Sequence, residues 1–135
     1  MDENIVVVML RDAQTGFLEK EAAVCRVEND GLLVNIVAEA ADGGQRICMK
    51  VSTERDAADW EFNAIYDYYD GDVFQSLGAA CAEIEDCENP TWELLFDWSG
   101  EEQTLETKLN ALLAAHKEEL ASVYEAIRDC RADYE

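Results

Sequence analysis

The sequence predicts a single α+β domain over residues 1–135, with an antiparallel sheet covered by a middle helix and a long C-terminal helix. Two observations carry this reading. Up to Val51, four stretches with strand-like patterning are separated by turns rich in Gly, Asn and Asp. After Gly100, apolar residues recur at Leu105, Leu109, Leu112, Leu113, Leu120, Val123, Tyr124 and Ile127, steps of three and four that place them along one stripe of a helix. Such a stripe is stable in water only when another layer covers it, so the strands and the helix require one another.

The first strand is Asn4 to Arg11, a nearly unbroken apolar run rich in β-branched residues and suited to burial on both faces. Asp12 to Gly16 turns the chain into a longer, more polar strand from Phe17 to Glu28, twisted or bulged near Glu19-Lys20-Glu21. Asn29-Asp30-Gly31 reads as a hairpin turn, after which Leu32, Val34, Ile36 and Ala38 alternate inward. Asp42-Gly43-Gly44 turns once more, and Ile47, Met49 and Val51 alternate against Arg46, Cys48 and Lys50. Short turns between successive strands predict a four-stranded antiparallel meander with one wet face.

Asp56 is placed to cap a helix running to Asp70, with Ala58, Phe62, Ile65 and Tyr69 on one side and Gly71 ending it. Val73 to Leu77 reads as a helical turn and Ala80 to Asp86 as a strand. Asn89-Pro90 forces a turn, because proline restricts the residue before it as well as itself. Thr91 to Trp98 alternates cleanly and completes the C-terminal hairpin. Ser99 and Glu102 have the spacing of a capping box at the head of the long helix, read as Ser99 to Asp133.

Composition bounds the function. The formal charge is −21, yet 49% of the residues are hydrophobic, so the chain is no disordered acidic tail. Between Asp56 and Thr107 there are fifteen Asp and Glu and no Lys or Arg. Such a surface repels nucleic acid phosphates and anionic lipid, and leaves basic partners and divalent cations open. Met1-Asp2-Glu3-Asn4 carries no positive charge and leads only six apolar residues, too few for a signal peptide. Five cysteines, an odd number without a C-x-x-C pair, fit reduced thiols and a cytoplasmic location.

No catalytic residue, cofactor site or metal site is expected. His116, the one histidine, falls at the edge of the apolar stripe and reads as structural. Asp67, Asp70 and Asp72 crowd around Gly71, but an EF-hand with Gly71 at position 6 would need ligands at Tyr66, Tyr68 and Leu77, so the pattern fails. Gly43-Gly44 lacks the spacing of a phosphate-binding loop. What remains is Asp67, Asp70 and Asp72 as part of a partner-binding surface at a helix end, where recognition loops concentrate.

DAQTGFL (Asp12 to Leu18), DWEFNAIYDYYD (Asp59 to Asp70), NPTWE (Asn89 to Glu93) and HKEELASVYEAI (His116 to Ile127) resemble an uncharacterised family of small acidic proteins from anaerobic Firmicutes, a domain of unknown function. The resemblance implies a compact α+β domain in a bacterial cytoplasm and no particular chemistry.

The function expected is therefore that of a non-enzymatic cytoplasmic interaction or accessory protein whose acidic face meets a basic protein. Two alternatives stand beside it: a nucleic-acid mimic that inhibits a basic nuclease or regulator, and a small enzyme with an unrecognised site. An accessory protein should show an apolar patch within its acidic surround, and an enzyme a deep pocket holding His116 or a cysteine beside a carboxylate. A monomer is expected, with a homodimer as the alternative if the long helix overhangs the domain.

Overall fold

The computed structural model describes residues 5–134 apart from 13, 42–43 and 86. The expected turn at Asp42-Gly43-Gly44 therefore lies largely outside the described residues, as do Asn4 and Asp86. In chain order the elements are β1 (Ile5–Arg11), β2 (Leu18–Arg26), a 3-10 turn at Asp30–Leu32, β3 (Leu33–Ala41) and β4 (Gly44–Ser52). There follow α1 (Asp59–Tyr68), a 3-10 segment Gly71–Leu77, β5 (Ala80–Ile84), β6 (Thr91–Trp98), α2 (Glu102–Ile127) and α3 (Arg131–Tyr134).

The fold is α+β, but its six-stranded sheet is mixed, with the order β2-β1-β3-β4-β6-β5. β3 does not pair with β2 as a meander requires. It crosses to the other side of β1 and runs parallel to it, Met9 to Arg11 standing opposite Val37 to Glu39. The reason lies in composition. β1 is the apolar strand and takes a neighbour on each side, whereas β2, exposed from Leu18 to Glu21, takes the edge. Asn29 adopts φ 61° and opens a 3-10 turn instead of a two-residue hairpin, while Val27 and Leu32 anchor the crossing in the core. Of the twist or bulge expected in β2 the structure shows bulges, Ala22 and Glu19 being skipped in its register with β1.

β3 also departs from strict alternation. The register with β4 passes from Leu33–Val51 to Asn35–Lys50, so Val34 bulges outward and is 60% exposed. The remaining pairs, β3–β4, β4–β6 and β5–β6, are antiparallel, the last forming the hairpin around Pro90.

α1 is shorter than the sequence suggests. Asp56 does not cap it but accepts a hydrogen bond from Asn89 Nδ2 at 3.0 Å, and the Glu61 carboxylate accepts the N–H of Ala58 at 2.9 Å at the helix start. Gly71 does not end α1 in a left-handed turn either. A Cβ there would lie 3.1 Å from Cys81 Sγ, so this glycine admits the close approach of β5. The left-handed position is Gly78, at φ 76°.

α2 begins at Glu102, not Ser99, and the expected capping box is absent: Gly100 has φ 98° and Glu101 is the N-cap residue. Glu102, Glu106 and Asn110, one turn apart, instead accept the backbone N–H groups of Val24 and Arg26 on the β2 edge and of Glu28 just past it. The long helix does not overhang. It ends at Ile127, and α3 returns to α1, where the Tyr134 hydroxyl donates to Asp67 Oδ2 at 2.7 Å. Leu105, Leu109, Leu113, Leu120, Val123 and Ile127 of α2 lie in one buried cluster with Ile47, Met49 and Val51 of β4 and Trp92, Leu94 and Phe96 of β6, as the alternation of each strand requires.

Candidate functional site

The acidic turn is assembled by three elements that meet at the end of α1. Asp67 sits on the last turn of that helix and accepts from Tyr134. Asp70 caps the 3-10 segment, its Oδ1 accepting the N–H of Asp72 at 3.0 Å, while the N–H of Asp70 donates to Glu119 Oε2 on α2 at 3.0 Å. Asp72 Oδ1 accepts from Gln75 at 3.4 Å. The three carboxylates thus keep separate local partners and do not converge on one point. Among the described residues no group of three His, Cys, Asp or Glu side chains is arranged to hold a metal ion. Among the described residues the hydrogen bonds to the three carboxylates come from a hydroxyl, a backbone N–H and an amide.

His116 is inaccessible and locked. A carbonyl only accepts, so Nε2–H donates to Ser52 O at 2.8 Å, which leaves Nδ1 to accept the Tyr69 hydroxyl at 2.7 Å. Trp92 closes over the ring edge-on. Burial pushes the imidazole down to about 4, so it is neutral at pH 7 with both nitrogens engaged, a tie between α2, β4 and the end of α1.

Cys81 lines a cleft of about 230 Å³ with Tyr69, Gly71, Asp72, Glu83 and Trp92, which is the cysteine-beside-carboxylate arrangement asked of an enzyme. Its chemistry runs the wrong way for a nucleophile. Burial, then Glu83 and Asp72, push the thiol up to about 11 and hold it protonated. All five cysteines are free thiols. A larger groove of about 430 Å³ lies between Leu32, Arg55, Lys117 and Tyr124. There the Arg55 guanidinium is committed, forked onto Glu61 at 2.9 Å and stacked 4.5 Å from the Tyr124 ring centre.

The other face of the sheet is where the chain departs most from its average character. Met9, Val37, Cys48 and Leu95, one from each of four adjacent strands, stand in register across it outside the core cluster, Val37 buried and the other three half-buried. Ile5 and Val7 on β1 and Leu18 on β2 extend this face, and all three are about half exposed. Two residues along each strand from the apolar row runs a second, charged one: Arg11 opposite Glu39, Glu39 opposite Arg46, Arg46 opposite Asp97. Cross-strand partners share a face, so these four charges form a ladder of alternating sign.

Glu39 is its anchor. It is 8% exposed, bound by Arg11 at 2.7 Å, with Arg46 at 3.7 Å and the Cys48 thiol donating to it at 3.7 Å. Burial raises the Glu39 carboxyl, but the Arg11 hydrogen bond and charge, with smaller help from Cys48 and Arg46, outweigh it and hold the group below the usual value. Reading the sequence missed this ladder. The alternation of Arg46, Cys48 and Lys50 marked a wet face, but Arg11 meets Glu39 only through the parallel pairing of β1 with β3, which no local pattern announces.

No curated protein and no solved structure matches the chain. A family model matches it from residue 1 to residue 135, and by that match the chain belongs to DUF6762, a family of unknown function.

Proposed function

We propose that the protein is a non-enzymatic interaction protein of the cytoplasm that presents its acidic side to a basic protein. The observation that supports this reading is the uneven placing of the bases along the fold. The open face holds Arg11, Arg26, Arg46 and Lys50 by register, while α1, the Gly71–Leu77 segment, β5, β6 and the first turn of α2 contain no Lys or Arg. A field summed over such a base-free region acts over about 8 Å at physiological salt and chiefly speeds encounter with a cation-rich surface. His116 has both ring nitrogens engaged and the Cys81 thiol is held protonated, so neither is presented as a general base or nucleophile.

The test uses an arginine-rich peptide as the basic probe. Changing Asp67, Asp70 and Asp72 to Asn is expected to weaken its binding by about tenfold at moderate salt, a loss of the size rim charges produce. Changing Asp12, Glu19 and Glu28 to their amides alters net charge equally and is expected to have little effect. Equal losses in the two triple variants would make the attraction a matter of net charge and overturn the site.

A further inference from the structure

We infer that the open face of the sheet is the contact with a second copy of this chain, related by a two-fold axis that runs along the strands between β3 and β4. The charged ladder carries the inference. Across four strands it reads Arg11, Glu39, Arg46, Asp97, that is plus, minus, plus, minus. A two-fold axis along the strands reverses the order of a row, and an even row of alternating signs reversed is its own complement. Arg11 of one copy then faces Asp97 of the other, and Glu39 faces Arg46, twice over. A symmetric contact must be self-complementary in this way.

The neighbouring apolar row obeys the same operation. Met9 falls opposite Leu95 and Val37 opposite Cys48, apolar against apolar; in the row beyond it Lys50 falls opposite Asn35, and Glu93 falls opposite Val7, the one position where a charge meets an apolar side chain. No other element of the described residues joins these side chains to the core, and aligned sheets packed face to face about 10 Å apart are a standard arrangement.

Charge explains why this face, of all the surfaces on a chain of −21, suits a second copy. Among the described residues the face carries four cations, Arg11, Arg26, Arg46 and Lys50, against four anions, Glu21, Glu39, Glu93 and Asp97. These charges balance, whereas two helical sides brought together would repel. Meeting through their sheets, the two copies hold their acidic layers farther apart than a Debye length of about 8 Å. Desolvating the ladder has a cost, which its existing pairing within each chain reduces.

Sedimentation equilibrium of the full chain from micromolar to millimolar concentration tests this. The wild type is expected to show a monomer–dimer equilibrium, and a chain that stays monomeric throughout overturns the inference, whatever other protein the face captures. Asp97→Lys lies on an exposed side chain and places like charges together twice, so it is expected to raise the dissociation constant about 100-fold. Arg11→Glu is expected to do the same. Mixing the two variants restores opposite charges at both Arg11–Asp97 contacts and is expected to give a heterodimer. Should the Arg11→Glu chain not fold, Leu95→Lys provides the second disruption on this face. Unweakened dimers of either Asp97→Lys or Leu95→Lys would place the contact elsewhere. These outcomes do not depend on the arginine-rich peptide, so failure here and failure of the acidic-side reading are separately visible.

Discussion

The Glu106 carboxylate on α2 accepts the backbone N–H of Arg26 on β2, eighty positions earlier in the chain. It is the middle of three such contacts: Glu102 accepts from Val24 at 2.9 Å and Asn110 from Glu28 at 2.8 Å, while Asn110 Nδ2 donates back to Arg26 O at 3.0 Å. The spacings agree. Every second residue of a strand advances about 6.8 Å and every fourth of a helix about 6.0 Å. One side of a helix therefore serves the edge of the sheet as a further strand would, and closes an edge that is open to pairing with other chains.

Glu106→Ala removes the central acceptor and leaves the Arg26 N–H to water. The expected cost is about 1–2 kcal/mol, the range for a hydrogen bond to a charged group near solvent. Hydrogen exchange of the Arg26 amide is expected to accelerate, and Glu106→Gln, which keeps an acceptor, to preserve most of the protection. Unchanged exchange in the alanine variant would mean that the latch is not closed in solution.

Leu113 and Leu120 lie in the stripe of α2 that seals the core, at 0% and 4% exposure. Truncating either to Ala is expected to cost about 2–5 kcal/mol by lost burial and residual cavity. Chemical denaturation measures this directly. An unaltered midpoint for either variant would remove that residue from the packing described.

His116 ties stability to pH. Its folded value of about 4 lies below the ordinary 6.5, so the folded state binds a proton less readily than the unfolded chain. The contribution is complete above pH 6.5 and is lost as pH falls from 6.5 to 4, by about 3 kcal/mol at most. The many carboxylates titrate in an overlapping range, so the measurement is a difference between the wild type and His116→Gln. The wild type is expected to lose stability relative to the variant across that window. Parallel pH profiles would mean that the ring is not held neutral.

Gly71 packs against Cys81, and a Cβ at 3.1 Å from the sulfur forces one of them to move. Gly71→Ala is expected to lower the melting temperature, and Cys81→Ala in the same chain to recover part of the loss. Additive effects of the two changes, measured as a double-mutant cycle, would show that the contact is not the source of strain.

Much of this architecture was legible because it is local. The stripe from Leu105 to Ile127, the alternation in Ile47-Cys48-Met49 and in Trp92 to Trp98, and the turn forced by Pro90 all follow from neighbours in sequence. The sheet order was not, because two strands that can both pair with β1 are told apart only by which of them is polar enough for an edge. The capping box at Ser99 misled for a related reason: Glu102 has the right spacing for it, yet a backbone N–H on β2 claims that carboxylate. Of the candidate site, the density of Asp67, Asp70 and Asp72 was visible at once, while Glu39 and its ladder depend on register and stayed hidden.

The reading of an acidic working side is tested most directly by titrating the isotope-labelled chain with the arginine-rich peptide and following each backbone amide by NMR. The expected result is saturable shifts confined to α1, the Asp70–Asp72 turn, the Gly71–Leu77 segment and β5, with Arg46, Cys48 and Lys50 on the open face unmoved. Shifts centred on the open face, or scattered evenly over both sides, would contradict it.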